Sequence, residues 1–147
     1  MDKIDRNIVR LLSVDGRMSN VDLAEQVGLS PSACLRRVQE LEKTGVILGY
    51  RARISPELTG RAFVAFTTVG LSDHSKHSQR QFELAVEQAD EVVECHNVTG
   101  SFEYLLRIEV ADLAAYKAFH TDVLGTVAEV STLNTYVVME SSKDRRG

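Results

Sequence analysis

Ser19-Asn20-Val21-Asp22-Leu23-Ala24-Glu25-Gln26-Val27-Gly28-Leu29-Ser30-Pro31 is the stretch whose reading decides the fold. Ser19 followed three residues later by Asp22 has the form of a capping-box start, a side-chain oxygen set before orphan helical amides. Leu23, Ala24 and Val27 supply a short apolar face. Gly28 suits the left-handed conformation that many helices need at their C-terminal end. Ser30-Pro31 then opens another helix, with Ser30 as N-cap and Pro31 at the first helical position, where a missing N–H costs nothing. Two helix ends and a glycine turn therefore lie within thirteen residues.

Working outward, Ile4, Ile8, Leu11 and Leu12 recur at one face of a preceding helix, which Asp15-Gly16 ends. The helix opened by Ser30 is expected to run to Thr44 and to stop at Gly45. Its buried positions should be Cys34, Val38 and Leu41, with Leu35 at the margin. At about 100° per residue, Arg36 then points away from the core, with Ser32, Ala33, Glu40 and Lys43 near it and Arg37 on the flank. Three helices in this order make a helix-turn-helix, whose third member enters the major groove of double-stranded DNA. Ser30, Ser32, Ala33, Arg36 and Arg37 are the DNA-binding candidates. Small residues at 32 and 33 admit a close backbone approach, Arg36 can reach a base edge or a phosphate, and Arg37 can pin a phosphate. A solvated helix in which Arg36 pairs with Glu40 is the plain alternative. Val46-Ile47-Leu48 and Tyr50 to Ile54 read as two short strands, a small wing around Gly49.

The rest of the chain alternates strand and helix. Strands are expected at Phe63–Val69, Val92–Val98, Tyr104–Val110 and Leu133–Met139. Phe82, Ala85, Val86 and Ala89 mark one helix; Leu113, Tyr116, Phe119 and Val123 mark another. The order is βαββαβ, the ferredoxin-like pattern, with helices on one face of the sheet. Phe63 and Val69 lie on one face of the first strand, Val64 and Phe66 on the other. The face without helices thus needs a cover, and a second copy of the chain is the simplest one. The fold class is α+β: a winged helix-turn-helix over residues 1–50, a linker over 51–61, the βαββαβ domain over 62–140 and a frayed tail over 141–147.

Composition limits the function classes. The 147 residues are 44% hydrophobic and 26% charged, values of a folded domain. No apolar run approaches the roughly 20 residues of a membrane-spanning helix. Met1 to Asp5 is charged and has no apolar segment behind it, so no secretory signal is expected. Cys34 and Cys95 form neither a disulfide framework nor a C-x-x-C site. A cytoplasmic, nucleoid-associated setting fits. The net charge of −4 conceals an asymmetry: ten Lys/Arg against eight Asp/Glu through residue 61 give +2, and seven against thirteen afterwards give −6. A DNA-binding head on an acidic body has this distribution.

Catalytic and metal chemistry find no support. His74-x-x-His77 offers two histidines without further ligands. Cys95 and His96 are strand neighbours pointing to opposite faces, so adjacency does not make them a nucleophile–base pair. No phosphate-binding glycine loop or G-x-S-x-G is present. No cofactor is expected, and the chain is not read as an enzyme.

The segment Ser19 to Ser30, with Arg37-Val38, Leu41 and Gly45-Val46-Ile47-Leu48-Gly49-Tyr50, resembles the helix-turn-helix signature of the Lrp/AsnC family. These are the leucine- and asparagine-responsive feast/famine regulators. The likeness extends to Asp2-Lys3-Ile4-Asp5-Arg6. Further on it takes in Glu94-Cys95-His96, Val98-Thr99-Gly100, Tyr104-Leu105-Leu106 and Thr135 to Glu140, which are similar to that family's regulator-of-amino-acid-metabolism (RAM) domain.

The resemblance implies a transcriptional regulator that forms homodimers, assembles to octamers or related oligomers, and senses a small amino acid. It places the effector beside the turn of Val98, Thr99, Gly100, Ser101 and Glu103. The family pattern there is Gly-Asp-x-Asp; this chain has Gly100-Ser101-Phe102-Glu103, with the first acid replaced and the second lengthened. An architectural DNA-binding protein of the same fold without an effector is the alternative. A metabolic binding protein or enzyme with a ferredoxin-like ligand domain is a third reading, opposed by the helix-turn-helix.

Overall fold

The computed structural model describes residues 1–144 and 146. The chain divides into two units between Arg53 and Ile54.

The first unit holds three helices, α1 (Lys3–Val14), α2 (Asn20–Val27) and α3 (Pro31–Lys43). Each start is a side-chain cap. Ser19 accepts from the Asp22 amide and Ser30 from that of Ala33, while Asp2 and Asp5 form a reciprocal capping box at α1. The reciprocal box therefore falls on α1 rather than α2. Gly28 ends α2 with φ +72°, a conformation that costs a side-chain-bearing residue free energy. The core is Ile8, Leu23, Ala24, Cys34 and Leu41, with Ile4, Leu11, Leu12 and Val38 packed around it. Leu35 is exposed.

The wing differs from its expected form: residues 46–54 contain no strand. The amides of Val46 and Ile47 both donate to the Leu41 carbonyl, closing α3, and Leu48 is left fully exposed. A two-stranded hairpin with little apolar cover is marginal in water, so short β-prone runs need not pair.

The second unit is a four-stranded antiparallel sheet in order β2-β3-β1-β4, with β1 (Phe63–Leu71), β2 (Val92–Asn97), β3 (Tyr104–Val110) and β4 (Val130–Val137). Helices α4 (Lys76–Glu87) and α5 (Leu113–Asp122) and a 3₁₀ turn (Leu124–Thr126) complete the βαββαβ order. Ala89 and Val123 lie just past their helices yet pack on the core. Strand β4 begins and ends earlier than its apolar run. Val130 pairs with Leu71 after a register shift at Gly70, and Met139 lies exposed beyond the ladder. Residues 141–144 form no regular element, and Arg145 and Gly147 of the expected tail lie outside the described residues.

Ala65, Thr67 and Val69 on β1, with Leu106 and Ile108 on β3, form the helix-side core together with Phe82 and Phe119. Tyr116 sits among them, and its hydroxyl shares hydrogen bonds with Thr67 and Thr135, which satisfies the buried Thr67 oxygen. The opposite face carries Val64, Phe66, Leu105 and Tyr136. It is not purely apolar. Arg107 crosses the Phe66 ring at 5.3 Å and pairs with Glu109 at 3.3 Å. The first-strand alternation read from sequence is thus observed, with an ion pair set among the apolar side chains.

Candidate nucleic-acid interface and effector turn

Helix α3 is held on its inner side by Cys34 and Leu41 and at its N-terminus by α2. Asn20, the first residue of α2, donates through Nδ2 to the Pro31 carbonyl at 2.8 Å. Ser30 and Ser32 lie exposed at the start of α3 with hydroxyls 3.3 Å apart, and Ala33 is half-buried behind them. Arg36 projects into solvent one turn later. Among the described residues Arg36 has no ion-pair partner, Glu40 included. An unpaired guanidinium one turn from a helix start with exposed hydroxyls is equipped to meet an anionic surface.

Arg37 has another engagement. Its Nη1 donates to Asp2 at 2.7 Å and to Asp5 at 2.8 Å, joining α3 to the start of α1. Asp2 is held at about pKa 2, first by the Asp5 amide and then by Arg37. The Arg37 guanidinium, correspondingly, is pushed up by the same two carboxylates. The signal for this clamp lay in Asp2-x-x-Asp5, a cap pattern that sequence reading passed over.

The turn after β2 leaves Thr99, Gly100 and Ser101 exposed and Val98 half-buried. Gly100 has φ +123°, a region open chiefly to glycine, and the space where a Cβ would stand is empty to 4 Å. Glu103 does not share this exposure. Its Oε2 accepts the Leu71 amide at 2.7 Å, and its Oε1 lies 2.8 Å from His74 Nδ1. The Leu71 amide sits at the register shift of β1, where the carboxylate takes the place of a ladder partner. The Glu103 amide donates to the Val69 carbonyl and its carbonyl accepts from Val98 and Asn97, which fixes the turn to β1. Sequence reading did not join His74 to Glu103.

His77 lies exposed in the first turn of α4, and the described residues contain no His/Cys/Asp/Glu group of metal-binding size. Cys95 packs toward the core, and burial pushes its thiol up to about 11. His96 lies exposed on the other side of the strand. No helix among the described residues is long and apolar enough to cross a membrane.

A winged helix-turn-helix head with a clear outer face on its third helix, followed by a βαββαβ sheet domain, has the architecture of a DNA-binding transcription regulator. Comparison with known proteins agrees. Residues 1–47 match the family described as winged helix-turn-helix DNA-binding, and residues 64–147 match the Lrp/AsnC ligand binding domain. The leucine-responsive regulatory protein of Escherichia coli K12 is 42% identical over 143 residues, 97% of this chain and 87% of its own. A transcriptional regulator of Neisseria meningitidis, solved in complex with L-methionine, superposes with a TM-score of 0.93 at 35% identity, covering 98% of this chain and 93% of that one. An AsnC family regulator from Agrobacterium tumefaciens gives 0.91 at 35%, covering 98% and 94%. The chain belongs to the Lrp/AsnC family of transcriptional regulators, which are not enzymes.

Proposed function

We propose that this regulator binds double-stranded DNA through α3 and changes its DNA occupancy when a small amino acid binds at the turn of residues 98–103. Arg36 reads a base edge or a phosphate, the start of α3 with Ser30, Ser32 and Ala33 lies against the backbone, and Arg37 holds α3 in place. The observation that carries the DNA half is the unpaired Arg36 on the outer face of α3. The domain resembles one solved with L-methionine, which supports an amino-acid effector. Homodimers form through the sheet face of Val64, Phe66, Leu105 and Tyr136, and larger assemblies, octamers among them, present several heads to one DNA and gain affinity through effective concentration. An effector must favour one assembly or head spacing over another, or it shifts nothing. The setting is the cytoplasm, on the nucleoid. The test is an electrophoretic shift on the gene's own upstream region, with and without each amino acid. A shift modulated by one of them supports the reading, and absence of any shift refutes the DNA half.

One observation favours a second reading, an architectural DNA-binding protein without effector. Ser101 brings no charge to the turn, and of the Glu103 oxygens Oε2 accepts the Leu71 amide and Oε1 lies 2.8 Å from His74 Nδ1. A DNA shift indifferent to all twenty amino acids is its expected signature.

A further inference from the structure

The two nitrogens that approach the Glu103 carboxylate are unequal. Leu71 offers a backbone amide inside the sheet, and losing it would orphan a buried donor. His74 offers an imidazole whose side chain is 87% exposed, while that of Glu103 is 12% exposed. The loop below His74 is shaped independently of that contact. Asp73 accepts from the Ser75 amide at 2.7 Å and from the Ser78 hydroxyl at 2.9 Å, so the backbone stays placed if the imidazole swings out. Oε1 of Glu103 is therefore a carboxylate oxygen faced by one displaceable imidazole nitrogen, three residues after Gly100, where a Cβ would meet nothing within 4 Å.

We propose that His74 competes with the effector's ammonium group for Glu103 Oε1 and so sets the affinity of the turn for free amino acids. The inference rests on the reading of residues 98–103 as the effector turn. An α-ammonium carries a full charge and three donor N–H groups. It replaces the imidazole at Oε1 while Oε2 stays on Leu71, so the carboxylate need not leave the sheet. The ligand class is the zwitterionic α-amino acid, and an N-acylated one has no ammonium with which to displace His74. Binding thus has to offset the His74–Glu103 contact, and removing that contact raises affinity without adding any new one.

The test is calorimetric titration of the full chain with L-leucine, L-methionine and N-acetyl-L-methionine, each at one fixed pH. His74→Ala is expected to tighten the better-binding zwitterion several-fold, the range of one exposed ion-pair contact. It should leave N-acetyl-L-methionine unchanged. His74→Lys, a full charge on the same loop, is expected to weaken the zwitterion. Glu103→Gln is expected to abolish the gain from His74→Ala in the double variant. Unfolding midpoints check that each variant is folded. If wild type binds either amino acid and His74→Ala binds it equally or more weakly, the competition is refuted and the effector turn survives. If neither wild type nor His74→Ala binds either amino acid, the effector reading falls together with the proposal.

Discussion

Arg37 on α3 donates to Asp5 on α1 across 2.8 Å, and the same Nη1 reaches Asp2. The guanidinium that sequence spacing assigned to a DNA phosphate is thus joined to the cap of the first helix. If holding α3 is its task, Arg37→Ala lowers the unfolding midpoint of the helical head. The slope of log affinity against log salt then stays the same, because no phosphate contact is lost. A phosphate contact would give the opposite pair of results, an unchanged midpoint and a slope reduced by about one. Thermal unfolding and salt-titrated DNA binding of the same variant separate the two.

The clamp has a pH signature. Asp2 titrates at about 2 instead of 3.8 because the Asp5 amide and then Arg37 favour its charged form. A carboxylate with a depressed folded pKa stabilises the fold fully above its unfolded pKa, and that stabilisation is lost as pH falls from 3.8 through about 2. Carboxyl-detected NMR of Asp2 should show the low midpoint. Arg37→Ala should raise it only part of the way to 3.8, since the Asp5 amide remains. Asp2→Asn should flatten the loss of thermal stability in this window relative to wild type; the other carboxylates cancel in the difference.

Arg36 has no ion-pair partner to lose among the described residues. Arg36→Ala is expected to leave thermal stability and assembly unchanged. It should weaken operator binding by about 1–3 kcal/mol if it reads a base, with relaxed discrimination at one base position. Binding measured on an operator series with single base changes checks both statements, and unchanged operator affinity removes Arg36 from the interface.

Helical period and cap chemistry carry the head: Ile8, Cys34 and Leu41 are buried and Ser30 caps α3, as local rules require. The four strands and two helices of the second unit were legible for the same reason. The wing was not, because pairing of residues 46–54 depends on cover from elsewhere rather than on β-prone composition. The Glu103–His74 contact was hidden for a different reason. It exists only because β3 pairs with β1, which brings the end of β1 to the turn before β3. Neither residue has a sequence neighbour that announces it. Arg37 was misjudged because its partners sit on another helix, where angular position on α3 says nothing.

The helix-free sheet face predicts an assembly. Phe66 is half-buried, with Arg107 over its ring, and Tyr136 is 61% exposed. A fragment of residues 62–147 should therefore dimerise without the head, since this face belongs to it entirely. In the full chain, Phe66→Asp places a charge opposite Arg107 and Tyr136 in the register and should yield monomers. Sedimentation velocity reads both. A monomeric wild-type fragment would contradict covering of the sheet by a second copy.

Ser101 offers the last and sharpest comparison. Its hydroxyl is exposed at the turn, next to the open space at Gly100, and can make one neutral hydrogen bond. Glu103, the acid nearest in sequence, has one oxygen on Leu71 and the other on His74. Ser101→Asp supplies a carboxylate with no such prior engagement. A charge-assisted hydrogen bond contributes roughly 1.5–3 kcal/mol against about 1 for a neutral one. The substitution should therefore tighten at least one neutral amino acid several-fold in calorimetry. Combined with His74→Ala the gain should fall short of additive, because both changes offer a carboxylate to one ammonium. Full additivity would place the two residues at separate sites. Weaker binding by Ser101→Asp would mean that the serine hydroxyl itself contacts the ligand, through its carboxylate end, where an added anion repels.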